Sequence, residues 1–327
     1  MYKTHKEWER PLYELEDGIA KLKEIAKKEK DPQKREQQMA KIAEYETRRN
    51  RYVEVMYSNL GAWEKVLVAR AERRPYTLDY IQAVFHHFIE LQGDRNGFVD
   101  HAIVGGPAML DNRPVMVVGH QKGRTIQERQ LRNFGYARPE GYRKAIRLFE
   151  MAERFRMPVI TLIDTPGADA GVEAEARGIS EAIAASIFKM FELTVPSISV
   201  IIGEGGSGGA IGIAASNRVL MLEHSIYSVI APEGCASILW RQAERAPDAA
   251  KALKLTAQSA LEFELIDEII PEPTGGSDKD WPATFGHVKS AIVKHIGLLD
   301  KFSPEEVYED RYARFRKMGI FEDLLND

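Results

Sequence analysis

Apolar residues change their spacing about a third of the way along the chain. Before that point they fall at steps of three and four. Leu12, Leu15, Ile19, Leu22 and Ala26 make a narrow seam between charged faces, as in an amphipathic helix. Asp31 followed by Pro32 reads as the N-cap and first-turn residue of a second helix, which carries Ile42, Tyr45, Tyr52, Met56 and Leu60. Residues 1–70 are therefore expected to form an N-terminal helical arm. It would be an antiparallel hairpin, docked on the core or on another subunit, or else solvated.

Beyond residue 100 the pattern is strand and helix in alternation. PVMVVG (114–119), PVITLID (158–164) and SISVIIG (197–203) are short β-branched runs closed by Gly or Asp. Between them lie EGYRKAIRLFEMAERF and GVEAEARGISEAIAASIFKMFEL, each helical by period and propensity. RVLMLE, SIYSVI and ELIDEIIPEP predict further strands. Near-continuous apolar strands separated by helices predict an α/β core with both sheet faces covered. Strand, glycine turn and helix recur at roughly 40-residue intervals, compatible with a superhelix of related units. After the linker PEPTGGSDKD (271–280) the chain returns to helix. The expected division is an arm (1–70), a core (71–281) and C-terminal helices (282–327).

Composition narrows the function. A net charge of −4 over 327 residues does not point to nucleic acid. No apolar run approaches the roughly 20 residues that span a bilayer, and the charged N-terminus does not read as a secretory signal. A cytoplasmic protein is expected. Cys235 is the only cysteine, which excludes a disulfide framework or a thiolate zinc site within the sequence; it is expected as a small buried side chain. His86 and His87 are adjacent, hence about 100° apart on a helix, and cannot ligate a metal from one face.

The chemistry is concentrated in SVIIGEGGSGGAIGIAAS (199–216), with five glycines in seven residues. Three motifs overlap there. Gly203-x-Gly205-x-x-Gly208, with Glu223 twenty residues on, matches a dinucleotide fingerprint. Gly205-x-Ser207-x-Gly209, with Asp267 and His287 or His295 downstream, matches a nucleophile elbow. The third reading is an oxyanion site with no side-chain nucleophile, made of N–H groups at a helix start. The segment after the glycines is short for a helix that must cross a sheet, and Glu204 would sit beside a pyrophosphate. A second turn, DTPGADAG (164–171), ends the preceding strand, so the two loops are expected to face one crevice.

Several segments together resemble the α subunit of the carboxyltransferase of bacterial and plastid acetyl-CoA carboxylase. They include NLGAWEKVLVARAERRPYTLDY (59–80), RPVMVVGHQKGR (113–124), PEGYRKA (139–145), IGEGGSGGA (202–210), PEGCASILW (232–240) and ELIDEIIPEPTGG (264–276). The resemblance implies a crotonase-like superhelix of ββα units that transfers a carboxyl group from carboxybiotin, carried on a separate protein, to acetyl-CoA, giving malonyl-CoA for fatty acid synthesis. It implies that Gly208 and Gly209 donate their N–H groups to the ureido oxygen of biotin, with Gly205, Gly206, Gly167, Ala168 and Asp169 shaping the biotin side. The biotin anion could then take the methyl proton of acetyl-CoA, so no protein base is needed. It further implies a β subunit bearing a four-cysteine zinc site and most of the acyl-CoA site (an α2β2 assembly), a biotin carboxyl carrier protein, and ATP chemistry at a separate biotin carboxylase. The chain itself has no phosphate-loop motif, and its Lys-Met pairs, in FKMF and RKMG, do not match the AMKM-like text of a biotinylated lysine.

Two features stay open. Lys122, Arg124, Arg129, Arg132, Arg138, Arg143, Lys144 and Arg147 face only Glu128 and Glu140 within 120–147. This basic stretch would either steer CoA phosphates or an acidic partner, or form a solvated face with internal ion pairs; RNA binding is a weaker option. TPGADAG also stands where the family usually has TPGAYPG, so Asp169 and Ala170 could alter biotin fit or acyl choice, for instance toward propionyl-CoA.

Overall fold

The computed structural model describes residues 4–319. After a lead-in turn, α1 (His5–Trp8), the apolar seam forms α2 (Arg10–Lys28) and packs on α3 (Pro32–Tyr57). Asp31 caps α3 by accepting from the N–H groups of Gln33 and Lys34. The hairpin's outer half carries a small core of its own, Ile19, Ala26 and Ile42. Its base is docked: Leu12, Val53 and Tyr57 pack with α4 (Ala62–Ala69) and with Ile226, Ala250 and Leu255 from late in the chain.

After α5 (Thr77–Val84) comes an antiparallel pair, β1 (Ile103–Leu110) and β2 (Arg113–His120). β1 reads weakly in sequence because Gly105, Gly106 and Pro107 interrupt its apolar run. It lies at the sheet edge, where proline is tolerated. Then follow α6 (Ile126–Leu131), α7 (Pro139–Arg154), β3 (Val159–Thr165), α8 (Val172–Ala176), α9 (Ile179–Glu192) and β4 (Ser197–Gly206). The helix expected across GVEAEARGISEAIAASIFKMFEL is thus two helices. They break at Gly178, whose φ of 78° is left-handed and costs a side-chain-bearing residue strain.

The core closes with α10 (Ser207–Ile211), β5 (Arg218–Leu222), β6 (Ile226–Ser228), α11 (Pro232–Trp240), α12 (Ala246–Ala252), α13 (Ala257–Glu262) and β7 (Glu268–Ile270). Cys235 is buried in α11 against Ala236 and Ala249. α14 (Trp281–Leu299) and α15 (Pro304–Arg316) complete the described chain. The sheet runs β1-β2-β3-β4-β5-β7, with β6 paired to the end of β4, and every pair after β1–β2 is parallel.

Both faces are covered, as the strand pattern requires. Met116, Val118, Val159, Ile163 and Ile201 face a core shared with α7, α9 and α10. Val115, Val117, Ile160, Leu162 and Val200 face the opposite core, with α5 and α14. The alternation along each strand therefore sorts residues into two cores. It also places the turns after β3 and β4 side by side at the same end of the sheet.

Candidate active site

The two glycine turns meet main chain to main chain. β3 and β4 pair in parallel to Ile163 opposite Ile201 and, after a register shift, to Thr165 opposite Gly205. Beyond it, a Cβ at Gly206 would lie 2.3 Å from the Pro166 carbonyl oxygen, and one at Gly209 only 2.5 Å from the Ala168 nitrogen. Gly205 lies under the Tyr227 ring, 2.8 Å from where its own Cβ would be. Ala168 bridges to Ala137. The Asp169 carboxylate accepts from Gly171 N (2.8 Å), Asn133 Nδ2 (3.0 Å) and Arg138 Nε (3.3 Å). Asp169 therefore staples its turn to the 133–138 segment.

On the open side, Gly208 lies at a cleft of about 370 Å³ walled mainly by Ile211, Val219, Tyr227, Val229, Phe315 and Met318. Gly206 offers α10 no side-chain cap, so the first-turn amides have no intrahelical partner. Ser207 is exposed and held at φ 51°, a left-handed conformation that is unusual outside glycine. Gly209 is buried in the loop contact. Of the residues singled out from sequence, Gly208 lines this cleft. Gly206, Gly209, Gly167 and Ala168 form the contact behind the turn.

Sequence reasoning missed the charged cluster beside the turns. Lys122 Nζ lies 2.8 Å from Asp164 and 2.9 Å from Glu204; Arg70 Nε is 2.7 Å from Glu204, and its Nη1 reaches Glu233 at 2.6 Å. Asp164 also accepts the N–H of Glu204 at 2.9 Å. Burial alone would raise the Glu204 carboxyl, but the charges of Lys122 and Arg70 outweigh it and hold the group down at about 2. Lys122 is raised despite its burial, because both carboxylates face it. The cluster floors a second cleft of about 440 Å³, with Tyr76, Phe134 and Tyr136 at its walls. The one local signal was an acid, Asp164 or Glu204, near the end of each otherwise apolar strand.

His120 ends β2 fully buried; neither ring nitrogen makes a well-aligned hydrogen bond among the described residues, and the Gly209 backbone beside the ring favours its charged form only weakly. Burial, with the Lys122 charge adding to it, pushes its pKa down to about 3. The fold thus holds the neutral ring, while the unfolded chain takes up a proton near pH 6.5. This contribution to stability is complete above pH 6.5 and is lost as pH falls from there through 3. Denaturant midpoints measured between pH 7 and 4 should show it: His120→Gln is expected to shallow the acid slope by about 1.4 kcal/mol per pH unit.

The rival motif readings lose their supports. α10 has five residues, too few to carry a dinucleotide helix across the sheet, and Glu204 is engaged in the ion cluster. For the elbow, Asp267 pairs with Arg314 at 3.0 Å. His287 Nδ1 meets the Pro271 carbonyl at 2.9 Å, and His295 Nε2 meets Glu268 at 2.7 Å. Both histidines ride on α14, which packs on the opposite sheet face from α10. Each of the eight cations of the basic stretch has a partner within the chain. Arg124 pairs with Asp79 and lies 4.5 Å from the Tyr76 ring. Arg129 pairs with Glu72, and Arg143 with Glu181. Lys144 is buried on the Asp100 and Ile103 carbonyls, Arg132 reaches His101 O, and Arg147 reaches Gln92 O.

The architecture is a crotonase-like α/β fold. Transcarboxylase 12S shares it at a TM-score of 0.55 and 19% identity, over 70% of this chain and 43% of that one. The Pseudomonas malonate decarboxylase hetero-tetramer, solved with coenzyme A, matches at 0.55 and 16%, over 67% and 90%. The particular family follows from sequence similarity: the chain belongs to the acetyl co-enzyme A carboxylase carboxyltransferase-like family, matched over residues 5–319. The acetyl-coenzyme A carboxylase carboxyl transferase subunit alpha of Geobacter metallireducens is 51% identical over 96% of this chain and 97% of its own length. Its counterpart in Thermus thermophilus is also 51% identical, over 96% and 98%. Among the described residues no helix is long and apolar enough to cross a membrane.

Proposed function

We propose that this chain is the α-type carboxyltransferase subunit that moves a carboxyl group from carboxybiotin on a carrier protein to acetyl-CoA, giving malonyl-CoA. The carrying observation is an uncapped helix start at which Gly208 borders an apolar cleft, with no nucleophile–base pair assembled there among the described residues. Bound carboxybiotin supplies the carboxyl group and a ureido oxygen that gains negative charge as that group leaves. The cleft is apolar, about 370 Å³ in volume, and bordered by Gly208, whose added Cβ would meet nothing closer than 3.7 Å. The amides of Gly208 and Gly209 would hold the oxygen, and Gly205, Gly206, Gly167, Ala168 and Asp169 keep the turn in place. Preformed donors of this kind typically contribute 10²–10³ in rate each.

The remaining parts lie on partners: a β-type subunit in an α2β2 assembly, with zinc and most of the acyl-CoA site; the biotin carrier; and an ATP-using biotin carboxylase. A cytoplasmic location fits this set. Acetyl-CoA is favoured over propionyl-CoA because relatives 51% identical over nearly the whole chain are acetyl-coenzyme A carboxylase subunits.

The test is carboxyl transfer by this chain mixed with a β-type subunit and carboxylated carrier, assayed on acetyl- and propionyl-CoA; no transfer to either refutes the reading. Ser207→Ala separates it from ester hydrolysis. Turnover should stay within about threefold of wild type, whereas loss of a true nucleophile costs orders of magnitude.

A further inference from the structure

Glycine at both positions of the donor pair leaves no Cβ to restrict their backbone, so whatever orients those amides must come from outside the turn. Two buried hydroxyls do so at its carbonyl side. The Tyr142 hydroxyl, on α7, donates to the Gly209 carbonyl at 3.1 Å. The Ser186 hydroxyl, on α9, donates to the Gly212 carbonyl at 2.6 Å. Both residues are fully buried. Gly212 N–H in turn donates to Gly208 O at 3.0 Å, which belongs to the same peptide plane as the Gly209 N–H. The Tyr142 ring also closes over Gly212, where an added Cβ would lie 2.6 Å from it. The peptide that carries the Gly209 N–H is thus fixed directly by its oxygen, and the two hydroxyls fix the carbonyls that follow it, at Gly209 and Gly212.

We propose that Tyr142 and Ser186 are positioning residues for carboxyl transfer, which hold the glycine turn by its carbonyls so that its amides stay aimed at the cleft. A one-turn helix does not sustain itself in isolation, and its last carbonyls have no intrahelical partner. The two outer helices supply those partners. This inference rests on the function proposed above, because it concerns how the same amides are held.

Tyr80 provides a matched control. It is equally buried, on α5 in the opposite core, and its hydroxyl has no hydrogen-bond partner among the described residues. With the chain assembled on its β-type subunit, Tyr142→Phe and Ser186→Ala should each lower kcat about tenfold, with KM for carrier and acetyl-CoA within about twofold, since small misplacement acts on the transition state. Tyr80→Phe should leave kcat unchanged. Amide hydrogen exchange over 205–213 should speed up about tenfold in Tyr142→Phe and not in Tyr80→Phe.

Unchanged exchange in Tyr142→Phe overturns the clamp whether or not the assembly is active. A kcat within twofold of wild type overturns it as well, as does a loss matched by a lower melting temperature than Tyr80→Phe shows. If the wild-type assembly transfers no carboxyl group while exchange responds as expected, the functional reading fails and the clamp stands.

Discussion

Gly209→Ala is expected to cut carboxyl transfer by a factor of about 10²–10³. The new methyl would sit 2.5 Å from both the Ala168 nitrogen and the Gly167 carbonyl carbon. Both are backbone atoms, so no side chain can swing aside. Ordinary carbon contacts need about 3.5 Å or more, so the turns must separate by roughly 1 Å. The amide moves with them, and such a displacement alone is worth about two orders of magnitude. Crowding should also cost stability by about 1–3 kcal/mol, measurable by denaturant titration. Gly208→Ala is the contrast: its methyl meets only Ile183, at 3.7 Å, so folding should be intact and any loss should appear as a raised KM for the biotin carrier. If Gly209→Ala retained more than a tenth of wild-type kcat, the turn would not be the oxyanion site.

Lys122→Met is expected to destabilise the chain by about 3–5 kcal/mol at pH 7, the range for removing one partner from a buried ion pair. Asp164 and Glu204 would then face each other with Arg70 alone on the Glu204 side. The pH dependence identifies the cause. In the wild type, Glu204 titrates at about 2, below the usual 4.5. Its stabilising contribution is therefore complete above pH 4.5, disappears only as pH falls through 2, and is constant between pH 7 and 5. In the variant, protonating either carboxyl relieves the repulsion, so the deficit should shrink from pH 7 to pH 5. Equal deficits at both values in urea titrations would show that lost packing, not charge, is responsible.

Sequence periodicity revealed the strands because each obeys a local rule. Residues 114–119, 158–164 and 197–203 lie within β2, β3 and β4 with offsets at the ends. The glycine turns, and their position side by side, were legible for the same reason. Features depending on distant partners were not. The break at Gly178 hides inside a helical period because one glycine is compatible with a helix until tertiary packing demands a left-handed φ. The Lys122, Asp164, Glu204 and Arg70 cluster joins residues 40 to 134 positions apart, and no spacing rule covers that. The partners of the basic stretch were equally out of reach. Charge counted along the chain looks like a patch, but folding distributes Lys144, Arg147 and their neighbours among separate carbonyls and carboxylates. Tyr142 carries no sequence signal at all, since its hydroxyl meets a carbonyl 67 residues away.

The contact between Gly209 and the Gly167–Ala168 peptide has a consequence for redesign. Its working atoms are common to every residue type, so swapping side chains offers no graded control over the floor of the site. Any side chain at Gly209 puts a Cβ into the contact and wedges the strand ends apart. The cleft wall is different: Ile211, Tyr227 and Val229 each reach it through a side chain and can be resized one at a time. Directed evolution toward a bulkier carrier arm or acyl group should therefore collect its mutations along that wall and leave the glycines untouched.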